Sequence, residues 1–91
     1  MNASEFDKWL ARAKRGQSVV YHEGYLYNDR GGGNPPQTAD QRLADTVGKA
    51  AMRASGHGLV ALVQRRLGDL KYQYIAQRTR MRLAPAADLI G

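Results

Sequence analysis

The first apolar pattern in the chain is helical. Four apolar residues recur with the i, i+3, i+4, i+7 spacing of one helix face: Phe6, Trp9, Leu10 and Ala13. Two capping boxes can start such a helix, Asn2 with Glu5 or Ser4 with Asp7. Gly16 is placed to stop it, so the pattern predicts a helix over residues 4–15.

The next segment changes to β-branched and aromatic residues. Residues 18–22, Ser-Val-Val-Tyr-His, predict a short strand. Residues 25–30 predict a helix of one or two turns. Residues 31–36, Gly-Gly-Gly-Asn-Pro-Pro, predict a flexible loop, because glycines leave the backbone free and prolines stop a helix from crossing.

The longest periodic segment follows the two prolines. Thr38 with Gln41 forms a capping box at its start. Apolar residues then recur at i, i+4, i+7 and i+11 and predict the buried face: Leu43, Val47, Ala50 and Ala54. The pattern predicts a helix over residues 39–54, with Gly56 as its left-handed cap.

The last pattern predicts a β-hairpin. An apolar run at residues 59–63 leads to Gly68-Asp69, a two-residue turn signal, and residues 70–78 return. This turn predicts four opposed pairs: Leu67 with Leu70, Arg66 with Lys71, Val63 with Tyr74, and Leu62 with Ile75. Like charges opposite each other destabilise a hairpin slightly. An anionic partner would explain why Arg66 and Lys71 are placed there, and the alternative is that their placement is due to chance.

Together these elements predict one α+β domain over residues 1–80 and a C-terminal extension over residues 81–91. The order helix, strand, short helix, long helix, β-hairpin resembles that of a winged helix-turn-helix domain over residues 4–80. This resemblance implies a recognition helix at residues 39–54 and a wing at residues 64–73. The loop over residues 31–37 is longer than the turn of such domains.

Three stretches carry a closer resemblance. They are Ala-Ala-Met-Arg-Ala at residues 50–54, Gly-Leu-Val-Ala-Leu-Val-Gln-Arg-Arg at residues 58–66, and Tyr-Ile-Ala-Gln-Arg at residues 74–78. In these stretches the chain resembles small proteins from phages and prophages of proteobacteria. Taken with the winged-helix order of elements, this resemblance leads us to expect a DNA-binding regulator of the phage type.

Charge favours a polyanionic partner. Fourteen Lys and Arg residues against eight Asp and Glu give a formal net charge of +6. Such an excess attracts DNA or RNA, and after these anionic lipid or an acidic protein, although it can also serve solubility alone. The chain has no cysteine. No apolar run is long enough for a signal peptide or a membrane span, so we expect a cytoplasmic protein without membrane association.

The candidate nucleic-acid-binding residues form two sets. On the long helix, side chains that can reach bases or phosphates lie about 100° from the predicted buried face: Gln41, Arg42, Thr46, Lys49 and Arg53. At the hairpin, three cations suit a phosphate backbone: Arg65, Arg66 and Lys71. An ordinary solvated face is the alternative, and Asp40 and Asp45 on the same helix would repel phosphate.

Other chemistry has weak signals. Tyr72 and Tyr74 could stack on single-stranded bases, but such tyrosines more often pack against a core. With two histidines and no cysteine, no metal-ligand spacing stands out, and we expect no cofactor. His22 and Glu23 should point to opposite faces of a strand, and no nucleophile has an evident base, so we predict no enzyme.

The leading prediction is therefore a protein that binds double-stranded DNA, with Arg42, Lys49 and Arg53 in the major groove. The alternative is a phage-encoded interaction module that inhibits host machinery, such as an anti-CRISPR or a polymerase-binding factor. A host protein would then be the partner. Three tyrosines would be its interface anchors: Tyr25, Tyr27 and Tyr72. A homodimer is also possible, through tail residues Leu83, Leu89 and Ile90.

Overall fold

The computed structural model of the protein describes residues 1–79. The elements are three helices and three strands in the order α1, β1, α2, α3, β2, β3: Ala3–Arg12, Ser18–Gly24, Leu26–Asp29, Ala39–Gly56, Val60–Gly68 and Lys71–Arg78. This is an α+β architecture with one antiparallel sheet. No helix within residues 1–79 is long and apolar enough to cross a membrane. The predicted extension over residues 81–91, with its possible dimer contact, lies outside the described part.

Helix α1 begins as one of the two predicted capping boxes requires. The Asn2 side chain accepts the backbone N–H of Glu5 at 2.7 Å, and the Glu5 carboxylate accepts that of Asn2 at 2.9 Å. The predicted end at residue 15 is wrong, since the helix stops at Arg12. The backbone N–H of Gly16 instead bonds the carbonyl of Arg78, which ties this segment to β3.

The sheet has the order β1-β3-β2, with both pairs antiparallel. Strand β1 extends two residues beyond the prediction, because Glu23 pairs with Gln73 and Gly24 with Tyr72. The register shifts between Val20 and His22, so the strand carries a bulge there.

The predicted hairpin register is wrong by one residue. Gly68 lies opposite Lys71, and Arg66 lies opposite Tyr72, with a register shift between Arg66 and Gly68. The turn therefore contains Asp69 and Leu70, and Leu70 has the left-handed backbone φ of 53°. A one-residue slip moves a side chain to the other face of the sheet. Arg66 and Lys71 are thus not opposed, and their expected like-charge repulsion disappears.

Helix α3 starts with the predicted capping box of Thr38 and Gln41, whose backbone N–H to hydroxyl distance is 3.0 Å. It continues to Gly56, two residues beyond the prediction. The left-handed glycine is Gly58, with φ of 74°, and not Gly56. The helix ends later than predicted because the chain turns from it directly into β2.

The buried face of α3 also differs from the predicted one. Leu43 is 45% exposed, whereas six small residues are buried: Ala44, Val47, Gly48, Ala50, Ala51 and Ala54. Gly48 lies close to Leu26 and Arg30 of the α2 segment, so a small residue at this position lets α3 approach it. The buried face of α3 is therefore centred near Val47 and Ala51, and Leu43 lies at its edge.

The core lies between the helices and one face of the sheet. Phe6 and Leu10 of α1 pack there with Val47 of α3 and with Tyr21 and Tyr74 of the sheet. The Tyr74 hydroxyl accepts the backbone N–H of Leu26 at 3.0 Å. Because the first N–H groups of a helix have no partner within it, this bond anchors α2 to the sheet.

Candidate nucleic-acid interface

Helix α3 presents its predicted cationic stripe to the surface. Arg42, Thr46, Lys49 and Arg53 are all exposed. At 3.6 residues per turn, the centre of this stripe lies about 150° from the centre of the buried face. The correction to the buried face therefore turns the stripe further outward than the sequence pattern predicted.

The four residues of the stripe differ in the hydrogen bonds and ion pairs that they form within the chain. Arg42 donates to the carbonyl of Gln37 at 3.0 Å, and the Thr46 hydroxyl donates to that of Leu43 at 3.1 Å. Lys49 pairs with Asp45 at 2.9 Å. Within residues 1–79, Arg53 has no ion pair. The C-terminal half of the stripe thus holds its most available charge.

Gln41 has a structural role that competes with base contact. Its side-chain oxygen accepts the backbone N–H of Gln37 at 2.8 Å and that of Thr38 at 3.1 Å. Contact with an adenine edge would use the same amide oxygen and break the capping box. Gln41 therefore lies at the start of the helix, but its amide oxygen is already used by two backbone N–H groups.

Asp45 is the acidic centre next to the stripe. It pairs with Arg30 of the α2 segment at 3.0 Å as well as with Lys49. The hydrogen bond from Lys49 is the largest cause that lowers the pKa of Asp45, and Arg30 lowers it further, while desolvation opposes them. Two cations thus neutralise Asp45, one of the two carboxylates that were expected to repel phosphate. The i, i+4 spacing of Asp45 and Lys49 could have revealed this pair in the sequence.

The hairpin cations lie on two different faces of the sheet. Arg66 lies opposite Tyr72 and shares the helix side of the sheet, whereas Arg65 lies opposite Gln73 on the other side. Lys71 precedes Tyr72 and so also points away from the helices. Arg66 is held by Asp69 at 2.8 Å. The three residues do not form one compact site.

The two predicted sets remain separate. The stripe lies on α3, whereas the hairpin cations lie on β2 and β3 and on two faces of the sheet. The hairpin end also carries two exposed leucines, Leu67 and Leu70. The basic stripe on α3 is therefore the better-defined candidate interface.

The tyrosines divide into buried and exposed members. Tyr74 is buried, so its predicted alternative role in base stacking is wrong. Tyr25 lies with its ring centroid 6.3 Å from those of both Tyr27 and Tyr72. Tyr27 is exposed, and Tyr25 and Tyr72 are half-buried. These three rings form a surface cluster beside α2.

The sequence analysis did not find one polar pair. His22 Nε2 lies 2.6 Å from Asp29 Oδ2, which joins β1 to α2, and the His22 ring packs against Tyr74. The bulge in β1 places His22 on the helix side, while Glu23 faces the other way as expected. No periodic spacing in the sequence indicates this pair, because it forms across a turn. Residues 1–79 contain no group of three or more potential metal ligands.

Comparisons with protein-family models, with curated protein sequences and with solved structures found no significant match to this chain.

Proposed function

We propose that the protein binds double-stranded DNA through the exposed face of α3, as a domain of the winged-helix type. The observation that carries the proposal is the stripe of Arg42, Thr46, Lys49 and Arg53 on the outward side of an 18-residue helix. The net charge of +6 favours approach to a polyanion. The order of elements, with a short and a long helix followed by a hairpin, supports the winged-helix type.

The proposed mode of binding follows from the size of the helix. An α-helix fits the major groove of B-form DNA, where arginine can contact guanine with two hydrogen bonds. Arg53 is free to do so, Arg42 must release the carbonyl of Gln37, and Lys49 can contact phosphate while Arg30 keeps Asp45 neutralised. Arg66, on the helix side of the hairpin, would contact the flanking phosphate backbone of the DNA. Arg65 and Lys71 would lie on the outer side of the hairpin.

A salt titration with duplex DNA tests this proposal. The logarithm of the binding constant should fall linearly with that of the salt concentration, with a slope of about −0.9 per phosphate neutralised. Replacing Arg42, Lys49 and Arg53 by alanine should reduce the magnitude of the slope by roughly 2.7 and abolish binding at physiological salt. Fluorescence anisotropy of a labelled duplex measures both effects.

A matched control separates a specific face from general charge. The triple variant K8A/R12A/R15A removes the same charge from exposed positions on and just after α1. It should retain most of the affinity. Equal losses in both triple variants would reduce the proposal to non-specific attraction, and a wild-type protein that ignores DNA at low salt would end it.

The biological setting follows from the sequence resemblance. We propose a transcriptional regulator of the phage type. The tyrosine cluster beside α2 favours the second candidate, a module that docks on a host protein, because exposed aromatic residues are typical interface anchors. Changing Tyr27 to alanine should leave DNA binding intact under the first function and abolish partner capture under the second.

A further inference from the structure

Within residues 1–79, the helices leave one face of the sheet uncovered. Lys71 lies on this face at the start of β3. Beyond it, the strand registers place nine side chains in three complete cross-strand rows: Ser18, Gln77 and Ala61; Val20, Ile75 and Val63; Glu23, Gln73 and Arg65. The side chains in each row come from β1, β3 and β2 in that order. The helices pack against the opposite side, where Tyr21, Tyr74 and Ala76 are buried.

The middle row is apolar and open. Val20 is 40% exposed and Val63 is 46% exposed, with Ile75 half-buried between them. Three β-branched side chains side by side form a continuous apolar strip across the sheet. Strands with one solvated face normally alternate apolar and polar residues so that the solvated face is polar. This row departs from that rule on all three strands.

The row nearest the hairpin carries opposite charges at its two ends. Glu23 lies at the β1 end and Arg65 at the β2 end, with Gln73 between them. The Gln73 side-chain amide donates to Glu23 at 3.4 Å. Within residues 1–79, Arg65 has no ion pair. The row is therefore polarised, with an unpaired cation at one end and a carboxylate at the other.

We infer that this face binds the same face of a second copy of the chain. A two-fold axis parallel to β3 places β1 of one copy over β2 of the other and superposes each row on itself. Glu23 of each copy then faces Arg65 of the other, and Val20 of each copy faces Val63 of the other. Ile75 meets its own equivalent, and so does Lys71, whose like charges weaken the dimer. A two-fold interface must be self-complementary in this way. Sheets that pack face to face align within about 30°, which is compatible with this arrangement.

The size of the interface and the position of the α3 helices describe the dimer that we expect. Nine residues per copy form a small interface, so we expect a weak dimer that dissociates on dilution. Because α3 lies on the other side of each sheet, the two α3 helices point outward, away from each other. The dimer is measured without DNA, so the inference does not depend on DNA binding. Arg65 belongs to both the dimer row and the predicted DNA-binding set, whereas Glu23 and Val63 belong to the dimer face alone.

Charge exchange tests the row assignment. Sedimentation equilibrium of the full chain from micromolar to millimolar concentration should show a monomer–dimer equilibrium. Glu23→Arg and Arg65→Glu should each weaken the dimer by about tenfold or more, because like charges then oppose each other twice. The double variant E23R/R65E should recover the wild-type constant to within about threefold, because the pair is reversed but kept.

Two controls make the outcome decisive. Asp7→Arg makes the same change in charge as Glu23→Arg, but at an exposed position of α1, and should leave the dimer unchanged. The variant R42A/K49A/R53A should dimerise like the wild type even if it no longer binds DNA. A protein that stays monomeric at millimolar concentration overturns the inference, as does a double variant that fails to recover. Circular dichroism of each variant confirms that it is folded.

Discussion

The two faces of the sheet differ in what covers them. On the inner face, Tyr21, Tyr74 and Ala76 are buried under α1 and α3, and α2 is fastened to this side by the Tyr74 hydroxyl. On the outer face, Val20 and Val63 stay open to solvent within the described chain. The same three strands thus stabilise the fold on one side and present an apolar row to solvent on the other. Stability and association should therefore respond to different substitutions.

The largest contrast should come from truncating one apolar side chain on each side. Phe6 is fully buried against the inner face, so Phe6→Ala removes its packing and leaves a cavity. We expect it to lower the free energy of unfolding by about 3–5 kcal/mol. Val63→Ala on the outer face should cost less than about 1 kcal/mol.

Urea unfolding at a concentration where the protein is monomeric measures both values. Dilution matters because a dimer through the outer face would add a concentration-dependent contribution to the stability of the wild type. If Val63→Ala cost as much as Phe6→Ala in the monomer, the outer face would be part of the core, and the contrast between the faces would fail.

A smaller effect should separate two tyrosines on the same strand and the same face. Tyr74→Phe removes the acceptor for the N–H of Leu26 and should cost about 1 kcal/mol, since this N–H is then left without its partner. Tyr72→Phe is the matched control, because within residues 1–79 its hydroxyl has no hydrogen bond. Hydrogen exchange of the Leu26 amide should accelerate in the first variant and stay constant in the second. Equal exchange in both would show that α2 is held by other contacts.

The features that the sequence predicted correctly are local ones. The capping boxes of α1 and α3 depend on residues three apart, and both form. The α+β order of elements follows from period and turn signals that need only short windows. The exposed cationic stripe on α3 also follows from helical spacing alone.

The wrong predictions have two causes: an unusual local conformation at the hairpin turn, and the packing of α3 against its neighbours. The hairpin register changed because a bulge precedes Gly68 and because Leu70 takes a left-handed conformation that a leucine rarely adopts. Leu43 was expected in the core as the largest apolar residue of its helix. Small residues such as Gly48 carry no hydrophobic signal, yet Gly48 lies on the face of α3 that is buried.

The smallest effect on the free energy of unfolding is expected at high pH, and it comes from Tyr21 on the inner face of the sheet. Burial raises the pKa of Tyr21, and the neighbouring Tyr74 raises it further. Below the ordinary pKa of tyrosine, about 10, both folded and unfolded chains keep this proton, and Tyr21 contributes no pH dependence. Above it the unfolded chain loses the proton first, so the free energy of unfolding falls by up to about 1.4 kcal/mol per pH unit.

Tyr21→Phe should remove this part of the alkaline loss. At neutral pH the variant should lie within about 1 kcal/mol of the wild type, because the ring is kept and the Tyr21 hydroxyl has no hydrogen bond within residues 1–79. Between pH 10 and 11 its unfolding midpoint in urea should fall less steeply than that of the wild type. Tyr27→Phe, at an exposed position, should follow the wild-type slope. If all three proteins lost stability in parallel, the Tyr21 hydroxyl would be as well solvated in the folded chain as in the unfolded one, and the inner face would be less closed than its packing indicates.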